Sequence, residues 1–172
     1  ILITNYAFAL KEHLRSGIKA EQLEEHPNLS VEQLKKVTHV PNKIATQINI
    51  EANNLYKQNL ITGEQLLYIN DELRSFTNIA GGCERIKKTP IPYSYTSFIK
   101  RTIFIYVLTL PLGILHDLRW ATVPIVLFVF YAFASLELLA EEIEDPFGHE
   151  TNDLPTDNLS NTIKKDLKEL VS

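Results

Sequence analysis

Residues 121–140, ATVPIVLFVFYAFASLELLA, form the most apolar stretch of the chain. A helix needs about 20 consecutive apolar residues to cross the hydrocarbon core of a bilayer, and this stretch has that length. A second apolar run, residues 102–115, lies shortly before it and is interrupted by Pro111 and Gly113. Together the two runs predict a transmembrane helix hairpin over residues 102–140.

The charged and aromatic residues favour a membrane over the alternative, a buried hairpin in a soluble protein. Lysine and arginine residues precede the first run, whereas the link between the runs has only Arg119. Because such residues concentrate on the cytoplasmic side, both ends of the hairpin should face the cytoplasm of a multi-pass cell-membrane protein. Aromatic residues near both expected interfaces agree with this: Tyr93, Tyr95, Tyr106, Trp120 and Tyr131.

Residues 1–86 have the spacing of amphipathic helices and predict a cytoplasmic helical bundle. Ser30 and Gln33 have the spacing of a capping box, which marks the start of a helix. Pro41 suits the first turn of the next helix, where a missing amide costs no hydrogen bond.

A longer helix is predicted to begin after Thr62 and to end at the two glycines, residues 81–82. Its apolar face, spaced by three and four residues, consists of Leu66, Ile69, Leu73, Phe76 and Ala80. Residues 87–101 then predict a rigid, non-helical elbow, because Pro90 and Pro92 disfavour helical geometry in the residues before them.

Residues 141–172 predict an acidic connector and a final amphipathic helix, for which Asp157 is a candidate cap. From Trp120 to Ile163 the chain has no lysine or arginine. The acidic residues of this stretch are Glu137, Glu141, Glu142, Glu144, Asp145, Glu150, Asp153 and Asp157. Such a field attracts cations if the segment lines a cavity, whereas a solvated exit from the membrane is the simpler alternative.

Metal-binding and catalytic motifs are weak in this sequence. Glu150, Asn152 and Asp153 offer the oxygen ligands that calcium prefers, but without the spacing of an EF-hand loop. His149 lies beside acids without a serine or cysteine partner, so metal-dependent hydrolysis has little support, and the other histidines are scattered. The single cysteine, Cys83, suits a packed thiol and excludes an intrachain disulfide. We therefore expect neither a cofactor nor an enzyme.

The composition of the whole chain narrows the function further. Its 172 residues carry a net charge of −4, which gives no basic face for nucleic acid. The chain has no methionine, and its first residues already have helical spacing without a preceding cap. These two features predict the C-terminal part of a longer protein.

Three segments occur in a specific order: GGCERIKKTPIPYSYTSFIKRT at 81–102, LTLPLG at 108–113 and LAEEIEDPFGHETNDLP at 139–155. In this order they resemble the bestrophin-type ion channel family, in its prokaryotic branch. The matching motif residues are Cys83, Glu84, Arg85, Pro90, Pro92, Glu144, Asp145, Pro146, Phe147, Gly148, Asn152 and Asp153. The resemblance extends through nearly the whole chain.

This resemblance implies an all-α membrane protein that forms a homopentamer in the lipid bilayer and conducts small monovalent ions (Na⁺, K⁺ or Cl⁻). The narrow neck of the pore would lie on a helix preceding Ile1. A second, cytosolic constriction best matches Glu64, where family members often carry an apolar residue. Five glutamates there would favour cations over chloride. The calcium-binding acidic run of animal members is diluted here to HETNDLP, so calcium control is not expected.

Passive ion conduction is therefore the leading prediction. The alternative is a non-conducting, membrane-associated helical scaffold that binds a partner through the acidic segment. Conductance of the full-length protein in liposomes distinguishes the two functions.

Overall fold

The computed structural model describes residues 1–15, 17, 20–150 and 152–171. These ranges contain seven α-helices and no β-strand, so the predicted all-α fold is confirmed. The helices are α1 (Leu2–Leu14), α2 (Val31–Lys35), α3 (Val40–Lys57), α4 (Gly63–Lys88), α5 (Tyr93–Leu118), α6 (Thr122–Glu144) and α7 (Thr156–Val171). The chain divides into two units: Ile1–Lys88 with Leu154–Ser172, and Thr89–Asp153.

The predicted helix starts are confirmed by their caps. The Ser30 hydroxyl accepts a hydrogen bond from the Gln33 amide at 3.3 Å, and the Gln33 side chain accepts one from the Ser30 amide at 3.4 Å. At the start of α4, the Thr62 hydroxyl accepts a hydrogen bond from the Gln65 amide at 3.2 Å, and the Gln65 side chain accepts one from the Thr62 amide at 2.9 Å. Pro41 lies in the first turn of α3, as its missing amide allows.

The core of the first unit lies where α1, α2 and α3 meet. Its buried apolar side chains are Tyr6, Phe8, Ala9, Leu23, Leu29, Leu34, Val40, Ile44 and Ala45. Phe76 of α4 packs against this core, with its ring 4.7 Å from the Tyr6 ring in a T-shaped arrangement. The Tyr6 hydroxyl donates to the Phe76 carbonyl oxygen. Burial, and then the nearby Cys83, raises the pKa of Tyr6 to about 12.

α4 continues through the two glycines at 81–82, so the prediction that it ends there is wrong. Glycine costs about 1 kcal/mol relative to alanine in a helix interior, and the packing of the neighbouring turns outweighs that cost. Each residue of the predicted apolar face is buried or half-buried: Leu66, Ile69, Leu73, Phe76 and Ala80. The helix ends at Lys88 instead, because Pro90 drives Thr89 out of helical geometry.

The non-helical backbone before α5 is confined to residues 89–92, which is narrower than the elbow predicted over 87–101. Pro92 lies at the N-cap of α5, with φ −54° and ψ 128°. α5 then continues through Pro111, so the proline in the first apolar run does not end the helix. Helices in membranes tolerate proline because neighbouring groups and local adjustments satisfy the freed backbone carbonyl.

α5 and α6 form the second unit and run antiparallel. The Tyr106 and Phe133 rings meet in a T-shaped arrangement at 5.7 Å. Lys100 Nζ lies 3.0 Å from Glu137 Oε1, so the one charge of the second apolar run is paired. At 1.5 Å per residue the two helices are roughly 39 and 35 Å long, which exceeds the hydrocarbon core of a bilayer.

Few side chains of these two helices are buried. Among their described residues α5 buries none and α6 buries only Thr122. An 18-residue window within residues 63–144 is long and apolar enough to cross a membrane, and none of it is buried. This window agrees, by length and composition, with the predicted membrane segment.

Charged side chains attach α7 to α1. The Lys11 side chain is 2% exposed, and its ammonium lies 2.8 Å from Asp157 Oδ1 and 2.9 Å from Glu12 Oε1. Arg15 contacts the other carboxylate oxygen of Asp157. The prediction that Asp157 caps α7 is wrong, because α7 already begins at Thr156 and the carboxylate binds Lys11 of α1 and Arg15 at its C-cap.

We expect Asp157→Asn to destabilise the fold by about 1 kcal/mol, because the buried ammonium of Lys11 keeps Glu12 but loses a half-exposed carboxylate. Hydrogen bonds from Lys11 and then Arg15 lower the pKa of Asp157 to about 2. The stabilisation is therefore complete above about pH 4 and is lost as the pH falls through about 2. Thermal unfolding of the wild type should show this loss, whereas Asp157→Asn should lose less stability over the same pH range, because only the other carboxylates with lowered pKa values, such as Glu84, still contribute.

Asp166→Asn is the matched control, because Asp166 is an exposed carboxylate on the same helix. It should keep the wild-type pH dependence. Identical pH dependence in the wild type and Asp157→Asn would contradict the assigned role of Asp157.

Candidate functional site

The EDPFG motif forms the turn at the end of α6. Glu144 is the last helical residue, and Asp145 leaves helical geometry at φ −116° and ψ 82°. The Asp145 side chain accepts a hydrogen bond from the Phe147 amide, and its carbonyl oxygen accepts one from the Gly148 amide, both at 3.4 Å. Pro146 cannot donate a hydrogen bond or continue the helix, and Phe147 is buried. These residue types thus stop the helix and anchor the turn.

Gly148 permits a close approach by the Asp153 carboxylate. A Cβ atom at residue 148 would lie 2.5 Å from Asp153 Oδ2. That oxygen accepts a hydrogen bond from the Glu150 amide at 2.6 Å, so a side chain at 148 would displace it from its partner. The Asn152 side chain donates to Glu142 Oε2 at 2.8 Å. The polar residues of this motif therefore bind the connector to itself and to α6.

The calcium candidates Glu150, Asn152 and Asp153 lie within this turn. The Asp153 carboxylate and the Asn152 amide already have partners in the protein. Among the described residues, the carboxylates of the connector do not form a group of three whose ligand atoms could share one ion. Thr151 lies outside the described residues. The calcium site stays a weak prediction.

Glu64 lies in the first turn of α4 and is exposed. The capping box of Thr62 and Gln65 fixes this start, and the positive end of the helix dipole favours an acidic side chain there. One subunit alone presents no constriction at Glu64. A ring of carboxylates requires several copies around an axis, so the role of Glu64 depends on assembly.

The remaining motif residues lie at the end of α4 and just after it. Cys83 is a free, half-buried thiol, in agreement with the predicted packing role. Arg85 is exposed on the same helix, and Pro90 and Pro92 lie in the non-helical residues 89–92. Cys83 and Arg85 therefore belong to the first unit, and Pro90 and Pro92 to the second.

Glu84 joins two histidines that are far apart in the sequence. Its Oε1 atom lies 3.1 Å from His13 Nε2 and also contacts His39 Nε2, while Lys88 Nζ lies 3.2 Å from Oε2. The two imidazole ring centroids are 4.4 Å apart. The hydrogen bond from His39, helped by Lys88, lowers the pKa of Glu84 to about 2 although partial burial opposes the shift.

Sequence reasoning missed this cluster. Three different helices supply its members, so no spacing along the chain indicates it. The one local indication is that Glu84 belongs to the CERI motif of the family resemblance, and that motif does not identify the histidines that contact it.

Comparison with known proteins identifies the family. Residues 1–169 match the family model described as bacterial and fungal bestrophin protein. The chain belongs to the bestrophin family. This confirms the resemblance that the motifs predicted, and it covers nearly all of the sequence.

The relatives of this bestrophin chain are channel-forming proteins. The voltage-dependent anion channel-forming protein sll1024 of Synechocystis is 34% identical over 99% of the chain and 56% of its own length. The protein YneE of Escherichia coli K12, of the same description, is 37% identical over 96% of the chain and 55% of its own length. The bestrophin chain thus spans about half the length of these relatives, which are named as channels and not as enzymes.

A solved structure shows the same fold. A crystal structure of a bacterial bestrophin homologue from Klebsiella pneumoniae matches with a TM-score of 0.93 at 29% identity. The match covers 99% of this bestrophin chain and 64% of the other. The helical order described above is therefore that of bacterial bestrophins.

Proposed function

We propose that this chain is part of the subunit of an ion channel that conducts small monovalent ions passively across a membrane. The observation that carries this proposal is the apolar surface of α5 and α6. Large side chains such as Leu112, Phe128 and Tyr131 are 80, 70 and 69% exposed. Lipid and neighbouring membrane helices would cover them, and the names of the relatives supply the kind of activity.

The proposed topology follows from the position of charge. Residues 102–140 cross the membrane as a hairpin, and residues 1–86 and 141–172 lie in the cytoplasm. Lys100 is near the cytoplasmic end of α5, where it pairs with Glu137 and Glu141 at 3.0 and 3.4 Å. Exposed Trp120, in the turn between the helices, suits the opposite interface.

The proposed assembly is a homopentamer in which α4 contributes to the contacts between subunits. One face of α4 packs inside the first unit, whereas Leu67, Tyr68 and Ile79 are 72, 78 and 58% exposed. Tyr68 and Ile79 are eleven residues apart, which is three helical turns, so they lie on the same face. An exposed apolar face of this kind is typical of a surface that meets another chain.

The mass of the detergent-solubilised full-length protein tests this assembly. We expect five subunits for the wild type and dissociation for Tyr68→Glu, because a buried glutamate without a partner is costly in an interface. Leu170→Glu is the control, since Leu170 is 81% exposed on α7, outside the proposed contact. A wild-type monomer, or a pentamer that Tyr68→Glu leaves intact, would contradict the assembly.

For the ion preference, we propose that Glu64 favours cations over chloride. In a pentamer, five exposed carboxylates would form a ring at the cytosolic constriction, and such a ring concentrates cations and repels anions. The names of the relatives point the other way, toward anions. The Glu64 ring and the names of the relatives therefore predict opposite signs of the reversal potential in asymmetric salt.

We expect the wild-type reversal potential to lie on the cation side and Glu64→Gln to shift it toward anions, because the substitution removes the charge and keeps the side-chain size. Glu72→Gln is the matched control: Glu72 is an exposed glutamate two turns further along α4. A clear chloride preference that Glu64→Gln does not change would refute the role of Glu64 and leave anion conduction as the function.

A further inference from the structure

His13, His39 and Glu84 form a cluster of possible metal ligands that the proposed ion conduction does not use. His13 lies near the end of α1, His39 at the N-cap of α3, and Glu84 in α4. The three potential ligand atoms, His13 Nε2, His39 Nε2 and Glu84 Oε1, all lie within 4.8 Å of one another. Among the described residues this is the one group of at least three histidine, cysteine or acidic side chains with such a spacing.

We propose that these three side chains bind a divalent transition metal ion, for which zinc fits best. Zinc bonds to histidine nitrogen and carboxylate oxygen are about 2.0–2.2 Å long, so its tetrahedral ligands lie roughly 3.3 Å apart. The 3.1 Å between His13 Nε2 and Glu84 Oε1 is close to that separation. The side chains therefore need only small shifts to surround an ion at bonding distance, and a fourth position remains for water.

The surroundings of the cluster allow an ion to enter. The side chains of His13, His39 and Glu84 are 24, 31 and 19% exposed, so the site is neither sealed nor fully solvated. Lys88 is the nearby cation, 3.2 Å from the second oxygen of Glu84. Its side chain is 73% exposed and can turn into solvent when a metal ion replaces its charge.

The metal must also replace existing hydrogen bonds. His39 Nδ1 accepts the Asn42 amide at 3.3 Å as the cap of α3. The proton of the neutral ring must then be on Nε2, from which it is donated to Glu84. Metal binding at Nε2 moves that proton to Nδ1 and leaves the Asn42 amide without this acceptor. In return, the ion links α1, α3 and α4 directly.

The nitrogen ligands set the metal preference. Imidazole suits zinc, cobalt, nickel and copper ions, whereas calcium and magnesium prefer oxygen ligands. Calcium should therefore not compete at this site, which separates it from the weak calcium candidates of the connector.

Equilibrium dialysis of the full-length protein against zinc chloride, with metal content measured by mass spectrometry, tests the site. We expect one zinc ion per subunit, displaced by a large excess of cobalt but not by an equal excess of calcium. Loss of even an outer-shell partner weakens metal binding roughly 10- to 100-fold, so His13→Gln and His39→Gln should each weaken zinc binding by at least that much. His149→Gln is the control, because His149 lies among the acidic residues of the connector and should leave affinity unchanged.

Cobalt provides a readout that does not depend on the variants. Bound to the wild type, Co²⁺ should give the strong visible absorption of a four-coordinate ion with nitrogen ligands. A hydrogen-bonded network without metal affinity predicts no zinc uptake and no such absorption, and either result would overturn the proposal. Equal zinc affinity in the wild type and in folded His13→Gln and His39→Gln, or loss of zinc in His149→Gln alone, would overturn it as well.

Discussion

The apolar surface of α5 and α6 determines the environment in which this chain can fold. Burying apolar surface contributes roughly 25 cal/mol per Å², so helices of this length with almost no buried side chain are stabilised when lipid or neighbouring helices cover them. In a bilayer every backbone group also needs an internal partner, which explains why the chain stays helical through Pro111. The pairing of Glu137 with Lys100 follows from the same constraint, because an unpaired charge would be costly there.

The first unit is held together differently, by an apolar core and by buried or half-buried charge. Lys11 is stable inside the protein because two carboxylates and a glutamine surround its ammonium. Glu84 binds side chains from two other helices and thereby fixes the final turns of α4. In the connector, Asp145 and Asp153 accept backbone amides. Several acids of the family motifs therefore have a structural role in this chain, whatever further role they have in the assembled protein.

The sequence predicts those features of the fold that depend on neighbouring residues in the chain. Ser30 and Thr62 cap helices through residues three positions away. Pro90 ends a helix because its own ring excludes helical geometry in the residue before it. These effects are local, so the sequence predicts them. The glycines at 81–82 and Asp157 were misjudged because contacts with distant helices decide their behaviour. The cluster around Glu84 was missed for the same reason. The apolar face of α4 was predictable, but the role of Glu64 is not a property of one subunit and needs the assembly.

Ion flux through the purified full-length protein in liposomes, with calcium removed by a chelator, tests the central claim most directly. We expect a flux of monovalent ions under these conditions, because Asp145 and Asp153 accept backbone amides of the connector and its described carboxylates form no group that could share a calcium ion. A folded, membrane-inserted protein that gives no flux with or without calcium would contradict channel function and favour the scaffold. Flux that appears only when calcium is restored would contradict the account of the connector.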